Sequence, residues 1–194
     1  MKKLLLLVVC VFFTHTTFSQ EIKSIYTDIF EVIYSEIYQQ PLQVMYNVEC
    51  PTGDVSRRGM DFKKYEGVIT SDNEDYKDNI WDKGHIAPAA DFNCDEEKLR
   101  GTFSYLNCAL QHQGLNRGPW KELERFERDL SKVYAFVNVT VTIHFEDKPE
   151  NWLPTGALVP IGFTKIIWCD GEKFSFYFPN RDVSGQDWSL FKID

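Results

Sequence analysis

The clearest pattern in the chain runs from Val133 to Phe145, where Val137, Val139, Val141 and Ile143 alternate with more polar positions. Side chains alternate faces along a strand, so this spacing predicts a strand with one buried face. Phe163 to Trp168 and Lys173 to Phe178 predict further strands, and Leu158-Val159-Pro160-Ile161 reads as additional strand material. Nearer the start, Phe30 to Tyr38 and Leu42 to Val48 are rich in β-branched and aromatic residues. They flank Gln39-Gln40-Pro41, which predicts an antiparallel hairpin. The stretch Glu21 to Ile37 also admits an amphipathic helix, with Ile22, Ile25, Ile29, Ile33 and Ile37 near helical spacing; the strand reading is preferred for its second half. Asp72 to Asn79 is polar and charged and reads as a surface loop. One helix stands out, with Gly118 as its N-cap, Pro119 at the first helical position, and then Trp120, Leu123, Phe126, Glu127 and Leu130 at helical spacing. No repeat or long linker interrupts this order. Residues 21–194 are therefore expected to form one α+β domain around a mixed, mostly antiparallel central sheet.

The first twenty residues stand apart. Lys2 and Lys3 precede an apolar run from Leu4 to Phe13, and Thr14 to Gln20 is small and polar. This is the layout of a secretory signal peptide, with cleavage after Ser19 or Gln20. The run is too short for a membrane anchor, and Cys10 lacks the flanking small residues of a lipoprotein site. A secreted or periplasmic location follows as an expectation. Loss of Lys2 and Lys3 would move the net charge from −8 to −10, which argues against electrostatic capture of nucleic acid by the surface as a whole. A nucleic-acid enzyme of this composition has to gather its cations in a cleft or lean on a metal ion. Four cysteines remain, Cys50, Cys94, Cys108 and Cys169. In an exported chain this predicts two disulfides, with all three pairings open. The lack of any C-x-x-C argues against zinc.

Candidate chemistry lies in two stretches. The first, Trp81 to Phe92, contains His85, one of three histidines outside the leader with His112 and His144. It follows a glycine among charged residues, although a lone histidine is more often structural than catalytic. The second is Leu115 to Glu124, with Asn116 just ahead of the helix and Glu124 in its early turns. Helical side chains tilt toward the N-terminus, so the Glu124 carboxylate leans toward Asn116. An amide oxygen meeting a carboxylate suits a hard ion such as Mg²⁺ that keeps several waters. The plainer alternative makes Asn116 a cap and Glu124 a partner of the helix dipole.

Together these stretches resemble the DNA/RNA non-specific endonucleases, the ββα-metal (His-Me finger) nucleases of the endonuclease G type. Their hallmark Asp-Arg-Gly-His segment is matched by Asp82-Lys83-Gly84-His85, followed by an Ala-Pro-rich stretch, here Ile86 to Asp91. An Asn-x-x-x-Gln segment is matched by Asn107 to Gln111, and then come Asn116 and Trp120 to Glu124. Weaker matches are Val159-Pro160 ahead of Phe163-Thr164-Lys165-Ile166, and Phe178-Pro179-Asn180. The resemblance spans roughly residues 30 to 180.

It implies a ββα-metal active site in which His85 is the general base that takes a proton from water. Asn116 would bind a single Mg²⁺, Glu124 would act in catalysis by orienting the metal's waters, and Mn²⁺ would be an alternative ion. Arg57 or Arg58 would clamp the phosphate, with spacing favouring Arg57, and Lys83 would also face it. Lys83 departs from the usual Arg and loses its bidentate fork; Leu110 stands where Pro is common. The implied substrates are DNA and RNA, single- or double-stranded, cut without sequence preference to leave 5′-phosphate ends, because the implied groups address phosphate and metal. An inhibitor protein would be a further partner that the sequence does not identify. Two competing functions are a binding protein with this fold and weak catalysis, and a phosphodiesterase for small esters, which a narrow pocket would favour.

Overall fold

The computed structural model describes residues 22–50 and 52–193. The segment read as a signal peptide, residues 1–20, lies outside them. Six strands form one antiparallel sheet in the order β1-β2-β3-β6-β7-β8: Ile22–Tyr26, Phe30–Ser35, Gln40–Asn47, Val137–His144, Gly162–Cys169 and Glu172–Pro179. Between β3 and β6 the chain leaves the sheet and builds the site. A two-stranded antiparallel ribbon pairs β4 (Trp81–His85) with β5 (Cys108–His112), with helix α1 (Glu96–Gly101) between them in sequence. Helical turns α2 (Gln113–Leu115) and Asn116–Trp120 then lead into α3 (Lys121–Ser131). The fold is α+β, as the pattern predicts.

The alternation in β6 buries Val137, Val139, Val141 and Ile143 at 4% exposure or less. Together with Val32, Val44, Phe163, Ile167, Phe176 and Phe178 they make the sheet's apolar face, on which Trp120 and Leu123 sit. Each such burial contributes about 1.5–3 kcal/mol, so α3 is held down mainly by this apolar face.

Several expectations are corrected. Within the stretch that also admitted a helix, Ile22–Tyr26 is a strand: Thr27 ends β1, its hydroxyl accepting the Phe30 N–H at 2.9 Å, and β2 returns antiparallel with Ile25 opposite Val32. The hairpin forms, but its turn is Glu36–Gln39. Pro41 lies inside β3, opposite Tyr34 and beyond the stretch Gln43–Asn47 that pairs with β6, so its missing N–H costs no ladder bond there. Val133–Phe136 precede the strand, with Phe136 exposed. Leu158–Ile161 contributes only a single bridge, Leu158 to Trp152, and no regular strand. Asp72–Asn79 includes a helical turn, Asn73–Tyr76, capped by Asp72, with Asp75 buried against Thr155. Gly118 is not an N-cap; it is a non-helical break (φ −105°, ψ −118°) within a path already turning from Gln113.

One disulfide forms where two are expected. Cys50 pairs with Cys94 at a Cα–Cα separation of 5.8 Å. Cys108 and Cys169 are free and buried, one in the ribbon and one in the large sheet. The Cys108 thiol instead donates to the Tyr76 hydroxyl at 3.3 Å.

Candidate active site

His85 ends β4 and owes its position to the ribbon. Across from it stands Cys108, and the preceding Gly84 stands opposite Ala109, where a Cβ would collide with the Gln111 amide. The glycine is therefore required by close packing. The strand end is fixed by buried Asn107: its side-chain oxygen accepts the Ala87 N–H at 2.7 Å, and its amide donates to the carbonyls of Ala87 and Thr102 at 2.9 and 3.0 Å. The His85 ring packs between Phe62 and Phe103, with centroids at 4.5 and 4.7 Å. Its Nε2 is covered and has no hydrogen-bond partner. Burial, reinforced by the nearby Arg57 charge, lowers the imidazole pKa to about 3. The ring is therefore neutral at ordinary pH, as a proton acceptor must be. His112 and His144 are engaged elsewhere, His112 by the Gly114 N–H and His144 by Thr164.

Asn116 faces this ribbon from the helical side. Its amide nitrogen donates to Asp82 at 2.9 Å, which leaves its amide oxygen as the uncommitted group. Arg117 grips both oxygens of the same carboxylate, at 2.8 and 2.6 Å. Asp82 thus ties β4 to the turn that carries Asn116, a role the motif alone does not disclose. Glu124 projects from the first turns of α3. Burial pushes its carboxyl up to about 7, with Glu127 adding to the rise while Lys165 and Arg128 oppose it. Behind it, Arg128 pairs with the fully buried Asp91 at 2.8 Å, linking α3 to the segment after His85.

These groups open on one cleft of about 980 Å³, whose lining includes Arg57, His85, Asn116, Arg117, Lys121 and Glu124. Five cations line it (Arg57, Lys83, Arg117, Lys121 and Arg128) against one carboxylate, Glu124. The acidic chain therefore concentrates positive charge where a phosphate would enter. The cations differ in availability. Lys83 is already bound to Asp61 at 2.8 Å and to Asn73. Among the described residues, Arg57 and Lys121 have no ion-pair partner. Arg58 is exposed and outside the cleft lining. Lys121, Arg128 and the aromatic walls Phe62 and Phe103 were not singled out by sequence; helical spacing from Glu124 is the one signal that points to Lys121 and Arg128.

The side chains fit a hydrated divalent cation. Among the described residues no three His, Cys, Asp or Glu side chains cluster as a chelating set, so an ion held by Asn116 and Glu124 would keep much of its water, as Mg²⁺ does. In the same cleft the buried His85 Nε2 has no protein partner.

The sequence pattern of the DNA/RNA non-specific endonuclease family matches residues 13–194. This chain belongs to that family. It is 33% identical over 166 residues to Nuclease EXOG, mitochondrial, of Danio rerio, covering 82% of this chain and 43% of that protein. It is 34% identical over 90 residues to Endonuclease G, mitochondrial, of Homo sapiens, covering 45% of this chain and 30% of the relative. The chain thus spans less than half the length of these curated relatives. A solved structure of the EndoG/EndoGI complex is similar, with a TM-score of 0.78 and 24% identity over 91% of this chain and 81% of that one, a likeness of fold. The expectation of a secreted or periplasmic location is corrected by these endonuclease-family relatives, which are named as mitochondrial nucleases. The apolar leader pattern is not a sufficient basis for that assignment. Among the described residues no helix is long and apolar enough to cross a membrane.

Proposed function

We propose that this family member is an endonuclease that hydrolyses phosphodiester bonds of both DNA and RNA without regard to base sequence. What supports the reading is one juxtaposition: an unpartnered imidazole nitrogen, Nε2 of His85, in the same cleft as Asn116, Glu124 and the unpaired Arg57. His85 accepts a proton from water as that water's oxygen bonds to phosphorus and the P–O3′ bond breaks, and the leaving 3′ oxygen takes a proton from a solvent water, giving a 5′-phosphate and a 3′-hydroxyl. Arg57 holds the phosphate oxygens, Phe62 and Phe103 hold the ring, and Asn107 holds the backbone behind it. Asn116 and Glu124 are the residues that would hold a Mg²⁺ ion, with Mn²⁺ as a substitute. When bound, such an ion supplies stabilisation of the charge that develops on the phosphate and leaving oxygen.

None of these groups addresses a base edge or needs a 2′-hydroxyl, which is why both polymers, single- or double-stranded, are proposed as substrates. The breadth of the cleft favours a polymer over a small ester. A protein inhibitor is a further proposed partner, on the ground that the structurally similar EndoG was solved with EndoGI. End-group analysis tests the chemistry: fragments made in Mg²⁺ should be ligatable through 5′-phosphates, and EDTA should abolish them. Fragments with 5′-hydroxyls would exclude this route.

A further inference from the structure

Beneath the cleft lies a buried charge cluster that the proposed chemistry does not use. Lys165, in the middle of β7, and Glu127, on α3, are both 0% exposed and pair at 2.5 Å. Tyr46 of β3 donates to the second Glu127 oxygen at 2.6 Å, and Lys165 reaches the same hydroxyl at 3.3 Å. The Lys165 ammonium also rests over the Trp120 ring, 4.2 Å from its centroid. Taking two charges out of water is costly and is offset only by close pairing, so such a pair adds little stability over apolar residues of similar size. What it adds is direction, because apolar contacts let a helix slide or rotate where a three-way hydrogen-bonded pair does not. Glu127 and Arg128 are neighbours on α3. The first ties the helix to β3 and β7, and the second ties it to Asp91 behind His85. Glu124 lies one turn toward the N-terminus from both.

We propose that Lys165 is a positioning residue, whose pairing with Glu127 and Tyr46 and contact with Trp120 set the rotation of α3 and hold Glu124 in the cleft wall near Asn116. The inference rests on the nuclease reading only in that Glu124 and Asn116 serve a metal ion. The test uses the full chain, the variants Lys165→Met and Lys165→Met/Glu127→Leu, and Mn²⁺ binding followed by electron paramagnetic resonance without nucleic acid. The single variant leaves Glu127 buried and unpaired and should melt well below the parent. The double variant removes both charges and should melt near it. If Lys165 positions α3, the double variant still binds Mn²⁺ about tenfold more weakly, and turnover falls while KM for DNA stays within about twofold. A double variant with parental stability, Mn²⁺ affinity and turnover would overturn the proposal, leaving the pair a packing feature. Parent protein that binds no Mn²⁺ would instead overturn the metal-site reading beneath it.

Discussion

His85 sits in a setting that decides how the site should respond to pH. Burial and Arg57 lower its pKa to about 3, so the acidic limb of kcat/KM, which reports the free enzyme, should fall below the ordinary histidine value near 6.5. Arg57→Met removes a charge that disfavours the imidazolium and should move that limb upward. A limb unmoved by the substitution would place Arg57 too far away to act on the ring. The same shift bears on stability. The unfolded chain binds the His85 proton more tightly, so His85's contribution is fully present above pH 6.5 and is lost as pH falls toward 3. Replacing His85 by Phe should flatten that part of the denaturation profile. At this scale His85, Asn116 and Glu124 were picked out because each lies in a short ordered motif, and the fold brings these three candidates to one cleft. The commitment of Lys83 to Asp61 and Asn73, and the clamp of Asp82 on Arg117, were not, since each joins residues 10 to 35 positions apart.

The strands were legible from alternation and the site helix from its apolar spacing. What escaped was set by contacts rather than period. Of the isoleucines near helical spacing, Ile22, Ile25 and Ile33 belong to strands and Ile29 and Ile37 to the turns beside them, because Thr27 turns the chain and β2 pairs with both neighbours. The helix begins before Gly118 because the chain is already turning at Gln113, held by the His112 cap. Helix α1 went unread although Asp95 caps it, accepting the N–H groups of Glu97 and Lys98. Two element-level substitutions follow. Gly84→Ala should disrupt the ribbon, because its methyl group meets Gln111; activity should fall sharply, and a soluble, fully active variant would show that the ribbon can shift. Arg128→Met strands the fully buried Asp91, and urea unfolding should report a loss of about 3–5 kcal/mol. A loss below about 1 kcal/mol would mean that Asp91 is carried as a neutral acid.

For the whole molecule, the net charge of −8 and the cation-lined cleft have to be read together. Lys83, Arg117 and Arg128 are neutralised by aspartates, and Arg57 and Lys121 are left to meet phosphates. Two such contacts predict a shallow salt dependence for duplex DNA, a slope of about −2 in log kcat/KM against log salt. A slope steeper than about −5 would require cations outside the cleft. The acidic total already required cations gathered in a cleft or help from a metal ion, but it did not say which cations, because a charge total carries no information about where the charges lie.

The central claim, that His85 drives metal-dependent cleavage of both nucleic acids, is tested most directly by incubating plasmid DNA and a long RNA with parent protein and His85→Ala in Mg²⁺. The account predicts that the parent degrades both polymers and that the variant, folded to the same stability, is slower by about 10²–10⁴-fold on each. A folded parent that cuts neither polymer, or a His85→Ala variant that cuts both at the parental rate, would contradict it.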